Sequence, residues 1–395
     1  MSDIAIIGNG VAGDSAATVI SRSKRNFDLK IFTREEYPFY QRTRLGEVLS
    51  GESSTDDLLL HDSQWYSSRG IELYLGTPVT KIDVDKKTIK TQEGDIHSYK
   101  KLLLATGAKP FLPPIENLNK ENVYSIRTLN DVQKIKKRLP EVKKALVIGG
   151  GLLGLESAFS LNQCGINVTV VEAQPAVMEK QLDRTGSKYV QSRLEKTGIE
   201  FSLDAQVREL VGKESITTAV LDNGGEIETD LVIISAGVVP RTKLASSAGL
   251  ETSKRIIVDE NLRTSEPEIF AAGDAIEKNG KCYGIWPPAR EQGRVAGKNL
   301  IGEEEKYEGS LSYFKLKVAS IDMISAGVRE EEKAKEVLVD RQEGERNYKK
   351  FFLNENGELI GAILVGDKSC YAAVLNGLRN RSKFEVLNAE HELIN

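Results

Sequence analysis

The chain reads as an α/β protein that uses one strand–turn–helix plan twice and adds a smaller α+β segment at its C-terminal end. Three observations predict this. Residues 3–7 form a short, continuously apolar strand that runs into Gly8-Asn9-Gly10-Val11-Ala12-Gly13 and then into a helix of small residues over 14–20. The plan recurs at residues 145–148, at Gly149-Gly150-Gly151-Leu152-Leu153-Gly154 and in a helix over 155–164. After each copy, short strands lead back to an apolar strand and a small turn: residues 102–104 before Ala105-Thr106-Gly107, and 231–234 before Ser235-Ala236-Gly237. A strand, glycines at GxGxxG spacing and a helix make the dinucleotide-binding fingerprint, so the repeat predicts two Rossmann-like domains and two dinucleotides.

Each glycine has its own reason. Gly8 permits the tight turn, Gly10 lets a pyrophosphate touch the backbone, and Gly13 lets helix and strand pack closely. Val11 and Ala12 then open a helix whose free N–H groups and dipole favour phosphate. Gly149, Gly151, Leu153 and Gly154 repeat these positions. The second strand of the first unit covers residues 28–32. The acidic residue that closes such a strand and bonds a ribose is expected at Glu35, with a solvated surface charge as the alternative. Tyr37 through Glu47 is aromatic and basic together, and Arg42 and Arg44 suit bidentate phosphate contacts. In the second unit, residues 168–172 end on Glu172, 23 positions after Gly149, where the ribose-binding acid belongs. A glutamate there repels a 2′-phosphate, so this site is expected to prefer NADH to NADPH. The remaining strands are expected at 71–75, 79–84, 88–91, 199–203, 207–210 and 216–221.

Composition bounds the rest. With 395 residues, two or three domains are expected. A net charge of −4 gives no electrostatic case for nucleic acid or an anionic membrane. No apolar run approaches the roughly 20 residues of a membrane-spanning helix, and the first strand starts too early for a leader peptide. Cys164, Cys282 and Cys370 lie far apart, which points to a reduced, cytoplasmic setting without disulfides. Cys164 and Cys282 are expected to be small buried hydrophobes. His61, His97 and His391 show no metal-ligand spacing with them.

With both fingerprints in place, the sequence resembles the two-dinucleotide flavoprotein reductases of the pyridine nucleotide–disulfide reductase superfamily, of glutathione-reductase-like architecture. The first fingerprint resembles their FAD site, the second their NAD(P)H site, and Ala105-Thr106-Gly107 their ATG turn. The most specific match is residues 264–275, containing Ala272-Gly273-Asp274, where the family returns to the FAD domain and its aspartate bonds the ribityl chain. The resemblance assigns Gly273 and Asp274 to that role and Val79 to the adenine, and it places Glu156 near the nicotinamide. Residues 289–297 resemble the helix whose N-terminus faces the flavin pyrimidine ring. Trp286 just before it reads either as a flavin neighbour or as filling between domains. The division implied is 1–110 with 230–308 for a split FAD domain, 111–229 for the NADH domain, and 309–395 for a C-terminal interface domain.

The departures from the family narrow the chemistry. No cysteine lies between Thr33 and Leu60, where the disulfide reductases carry their redox pair, so thiol exchange is not expected. Residues 40–47, 181–184 and the presumed single strand 317–322 are similar to NADH:rubredoxin oxidoreductases, and 40–47 also to the flavin domain of nitrite reductase large subunits. The implied activity is an NADH-dependent FAD oxidoreductase passing electrons to rubredoxin or a similar small iron–sulfur protein. The alternatives are a small acceptor such as oxygen, a nitrite-reductase-type chain, or NADH sensing. A monomer or homodimer is implied. Glu47 and Glu156 are expected to meet near the flavin, and Lys134, Lys136, Lys137 and Arg138 form a solvated helix face or a docking patch. C-terminal strands are expected at 313–319, 348–353 and 359–365, with a helix near 372–379.

Overall fold

The computed structural model describes residues 2–341 and 347–394. Strand β1 (Ser2–Ile7) leads through the first glycine turn into α1 (Val11–Ser21), and β2 (Leu29–Phe32), β3 (Ile71–Tyr74), β4 (Val79–Asp83), β5 (Thr88–Thr91) and β6 (Ile96–Leu104) follow. The sheet runs β3-β2-β1-β6 in parallel, with Ile4–Ile7 facing Leu29–Phe32 on one side and Lys101–Leu104 on the other. Ile4–Ile7 and Leu102–Leu104, at the centre of the sheet, read as unbroken apolar runs because both faces are covered. β4 and β5 continue as an antiparallel meander from the outer half of β6.

A two-stranded ribbon leads out of this unit. β7 (Ala108–Pro110) pairs antiparallel with a strand from far along the chain, Val238–Pro240. Within the second unit come β8 (Val123–Tyr124), β9 (Lys144–Ile148), β10 (Asn167–Glu172), β11 (Glu200–Leu203) and β12 (Leu231–Ile234), in the parallel order β11-β10-β9-β12-β8. Its helices, after the short α2 (Leu45–Ser50) of the first unit, are α3 (Leu129–Arg138), α4 (Leu152–Gln163) and α5 (Arg184–Glu195). A three-stranded meander, Val207–Val211, Thr218–Leu221 and Glu226–Glu228, caps one face. Because β12 pairs with β9, the second unit extends to Ile234, past the expected boundary at 229.

The ribbon strand β13 (Val238–Pro240) then carries the chain back, and β14 (Ile269–Ala271) joins the first sheet beside Leu102–Leu104. Helix α6 (Trp286–Leu300) packs along α1. The contact is close because glycines face alanines: a Cβ on Gly293 would lie 2.2 Å from the Ala12 carbonyl oxygen, and one on Gly297 would lie 2.9 Å from Ala16.

The C-terminal unit is a five-stranded antiparallel sheet of β15 (Tyr313–Val318), β16 (Ile321–Gly327), β17 (Glu336–Arg341), β18 (Tyr348–Leu353) and β19 (Leu359–Val365), ordered β15-β16-β19-β18-β17, with α7 (Tyr371–Asn380) and α8 (Phe384–His391). The single strand expected over 317–322 does not form. Ala319 and Ser320 both take positive φ, +48° and +60°, and so make the tight turn of a β15–β16 hairpin. One face of this sheet shares an apolar core with the second unit: Leu316, Met323, Tyr348 and Phe352 pack with Val177, Leu182, Val190 and Leu194. Lys350, only 4% exposed, is held there. Its Nζ lies 2.6 Å from Asp183 and 2.6 Å from Glu331, and Tyr348 donates to Asp183 at 2.5 Å. Among the described residues, no helix is long and apolar enough to cross a membrane.

Candidate nucleotide sites and the cleft between them

The two glycine turns share one geometry. Gly8 and Gly149 take φ of +109° and +113°, a region that strains any residue with a Cβ. A Cβ on Gly8 would also sit 2.1 Å from the Ala105 carbonyl oxygen, and one on Gly149 would sit 2.4 Å from that of Ser235. The third glycines seal helix against turn: a Cβ on Gly13 would lie 2.0 Å from the Gly8 oxygen, and on Gly154 1.9 Å from the Gly149 oxygen. The middle glycines differ. Nothing lies within 4 Å of a Cβ at Gly10 or Gly151, and both cap their helices without a side-chain hydrogen bond. The first N–H groups of α1 and α4, including those of Val11, Ala12 and Leu153, thus face an open cradle of the kind that receives phosphate.

Around the first cradle the structure gathers residues from four segments. Ala105 is buried and abuts Gly8, while Thr106 donates its hydroxyl to the Arg241 carbonyl at 2.8 Å. Gly273 fits against Ala12, and its N–H donates to Gln292 of α6 at 2.9 Å. Next to it, Asp274 pairs with Arg127 at 2.6 Å. Arg42 pairs with Glu35 at 2.6 Å and donates to the Arg127 carbonyl. Tyr40 donates to Glu35 at 2.5 Å. Burial opposes the Arg42 charge, but Tyr40 and Glu35 outweigh it and hold its pKa above the ordinary value. Val79 is buried at the start of β4, and Trp286 opens α6 stacked on Phe39, ring centres 5.8 Å apart. Two buried acceptors beside the turn, Asn9 Oδ1 and Asp14 Oδ1, have no hydrogen-bond donor among the described residues, with His61 Nε2 3.1 Å from Asp14 Oδ1 as an ion-pair contact. Open cradle, orphaned acceptors and an arginine-rich wall fit a dinucleotide with hydroxyls and a diphosphate.

At the second cradle, Glu172 closes β10 and turns back over the glycines. Its carboxylate accepts from the Gly150 N–H at 2.6 Å and from the Gln174 N–H at 2.8 Å. These bonds fix its orientation and leave lone pairs for a ribose.

Between the two units lies a cleft of about 40 Å³, lined by Arg42, Thr43, Leu45 and Gly46 on one side and Ile126, Arg127, Leu153, Glu156 and Ser157 on the other. Leu153 is 44% exposed at its mouth. Desolvation alone pushes the Glu156 carboxyl up to about 8, so it is largely neutral at pH 7. The expected meeting of Glu47 with Glu156 does not occur. Glu47 turns away to Arg44, at 2.6 Å, and Ser53, and its carboxyl is held below the ordinary range by those hydrogen bonds. Cys164 and Cys282 are exposed rather than buried, since one caps the end of α4 and the other lies in the loop before α6. Lys134 and Lys137 on α3 are exposed, whereas Lys136 donates to the Val48 carbonyl at 2.9 Å. Arg127 and Arg241 were not legible as site residues in the sequence. Each lies just past a strand of only two or three residues and carries no motif of its own.

The comparisons agree with this geometry. Residues 2–293 match the family model for pyridine nucleotide-disulphide oxidoreductase, and 313–381 match that for the rubredoxin NAD+ reductase C-terminal domain. The chain is 38% identical over 368 residues to a nitrite reductase [NAD(P)H] of Bacillus subtilis, covering 93% of this chain and 46% of that protein. It therefore spans about half the length of the first curated relatives it matches. It is 29% identical to the NADH-rubredoxin oxidoreductase of Clostridium acetobutylicum, covering 99% of this chain and 98% of the other. The structure of a ferredoxin reductase from Rhodopseudomonas palustris matches with a TM-score of 0.88 and 26% identity, covering 99% of this chain and all of that one. The chain belongs to the pyridine nucleotide-disulphide oxidoreductase family, whose members work with FAD and NAD(H).

Proposed function

We propose that the protein takes electrons from NADH, through FAD in the first cradle, to rubredoxin or a similar small iron–sulfur protein. The observation that carries this is the pair of superposable glycine cradles flanking one cleft that holds no cysteine. FAD supplies a centre that accepts a hydride and releases electrons singly. On this reading Gly8, Gly10, Val11, Ala12, Gly13, Glu35, Arg42, Val79, Ala105, Thr106, Gly107, Gly273, Asp274 and Trp286 hold FAD. Gly149, Gly151, Leu153, Gly154, Glu156 and Glu172 hold NADH. Glu172 orients the adenosine ribose and disfavours a 2′-phosphate. Neutral Glu156 and apolar Leu153 line the cleft where a nicotinamide enters, keeping charge and water from it. Arg42 and Arg127 would meet phosphate oxygens as two-pronged donors.

A second reading keeps the same electron input and changes the acceptor to a nitrite-reducing component. The 38% identity to a nitrite reductase twice as long as the matched region favours it. Stopped-flow reduction by NADH, followed by mixing with rubredoxin or with air, separates these. Reoxidation by rubredoxin far faster than by oxygen supports the first, and sluggish reoxidation by both supports the second. A cytoplasmic setting accords with the free thiols.

A further inference from the structure

We infer that Arg241, in the crossover that returns from the second nucleotide unit, closes the FAD diphosphate site, so that FAD occupancy tightens the ribbon by which the chain passes between the two nucleotide units. The inference rests on the proposed assignment of FAD to the first cradle. Its basis is an unbalanced set of charges. Arg34, Arg42 and Arg127 stand within electrostatic reach of Arg241, as does Glu35. Arg42 is paired with Glu35 and Arg127 with Asp274. Among the described residues, the guanidiniums of Arg34 and Arg241 have no carboxylate partner and make no hydrogen bond. Of the four, Arg241 is the partly buried cation left without a carboxylate, a donor suited to a diphosphate oxygen.

Arg34 is exposed and solvated, whereas Arg241 is half-buried, which makes its missing partner costly. Burial comes first in holding the Arg241 charge down to about 10, and repulsion from Arg34 and Arg127 adds to it. A cation so placed gains most from an anion that enters the site. The backbone sets Arg241 beside the cradle: its N–H donates to the Gly107 carbonyl at 2.9 Å, its carbonyl accepts from Thr106 at 2.8 Å, and Ala105 abuts Gly8. Glu35 lies just past β2, whose last carbonyl accepts the Gly8 N–H at 2.8 Å. The ring of arginines therefore stands at the mouth of the Gly8–Gly13 turn.

The origin of those arginines supplies the second half. Arg34 and Arg42 belong to the first unit, Arg127 to the second, between β8 and α3, and Arg241 to the return crossover just after β13. The outward and return crossovers touch through the β7–β13 ribbon, which pairs over only three residues a side. The units also meet through α2, whose Leu45, Val48 and Leu49 share an apolar core with Leu129 and Val132 of α3 and Leu155 of α4, but the ribbon itself is too short to be stiff. An anion gripped from both sides of it staples this end of the seam.

The test uses the flavin-loaded protein and two variants, Arg241→Gln and Arg241→Lys. Flavin release after dilution is followed by the rise in free-FAD fluorescence, and hydrogen exchange is read at 108–110 and 238–240. The expected result for Arg241→Gln is release faster by about ten- to a hundred-fold, the loss of one charged hydrogen bond. Ribbon amides should exchange faster in that variant, as they should in wild type stripped of flavin, with Arg241→Lys between. Unchanged release in a folded Arg241→Gln protein would overturn the contact, and faster release with unchanged ribbon exchange would overturn the staple. Wild-type protein isolated without flavin would instead strike the assignment of the first cradle, and this inference with it.

Discussion

Glu156 allows a prediction with a definite sign. Its carboxyl is pushed up to about 8 by desolvation, from the ordinary value near 4.5. Below the ordinary range folded and unfolded chains both hold the proton. Between there and about pH 8 the folded protein holds a proton that the unfolded chain has released. Stability is thus fully present at low pH and is lost as the pH rises toward 8. A shift of this size corresponds to at most about 5 kcal/mol, with a slope of about 1.4 kcal/mol per pH unit. Water at the cleft mouth reduces that figure, because Glu156 is not fully enclosed. Glu156→Gln keeps the shape and removes the titration. Urea midpoints of both proteins, measured from pH 6 to 8.5 with flavin bound, should therefore diverge, the variant gaining on wild type as the pH rises. Parallel profiles would refute the desolvation argument. The same variant should bind NADH with little pH dependence in this window, whereas wild type should weaken above pH 8 as a buried charge appears beside the nicotinamide.

Three more outcomes follow from other parts of the molecule. Gly13→Ala should give protein without flavin, since its Cβ would lie 2.0 Å from the Gly8 oxygen; Gly154→Ala should stay yellow yet resist reduction by NADH, and absorbance before and after NADH distinguishes them. Glu172→Ala should weaken NADH by about ten- to a hundred-fold and NADPH less, measured as the concentration dependence of flavin reduction. Lys350→Met strands the Asp183 carboxylate, which burial disfavours but which Lys350, Tyr348 and Gly186 hold below the ordinary range. It should cost about 3 kcal/mol in thermal or urea unfolding. Adding Asp183→Asn should restore part of that loss, and no loss in the single variant would show the pair to be dispensable.

The two fingerprints were legible because glycine is demanded by backbone geometry: positive φ at Gly8 and Gly149, and carbonyl contact at Gly13 and Gly154, admit little else. The central parallel strands over 4–7, 102–104, 145–148 and 231–234 were legible for a similar reason, since strands buried on both faces must be continuously apolar. The C-terminal hairpin was not. Its turn is Ala319-Ser320, with neither glycine nor asparagine to mark it, so two strands read as one. Strand β18 buries two lysines, Lys349 and Lys350, whose partners come from other segments and leave no local trace.

The same division runs through the site. The sequence alone determined that the glycine turn occurs twice, that a glutamate closes the strand beside the second, and that no cysteine accompanies residues 33–60. Only the tertiary structure decided how charges pair: Arg42 with Glu35, Arg127 with Asp274, Glu47 with Arg44 instead of facing Glu156. Backbone demands are local and write themselves into residue type at fixed spacing. Electrostatic balance depends on which distant segments meet and how far water is excluded, and that is settled by packing.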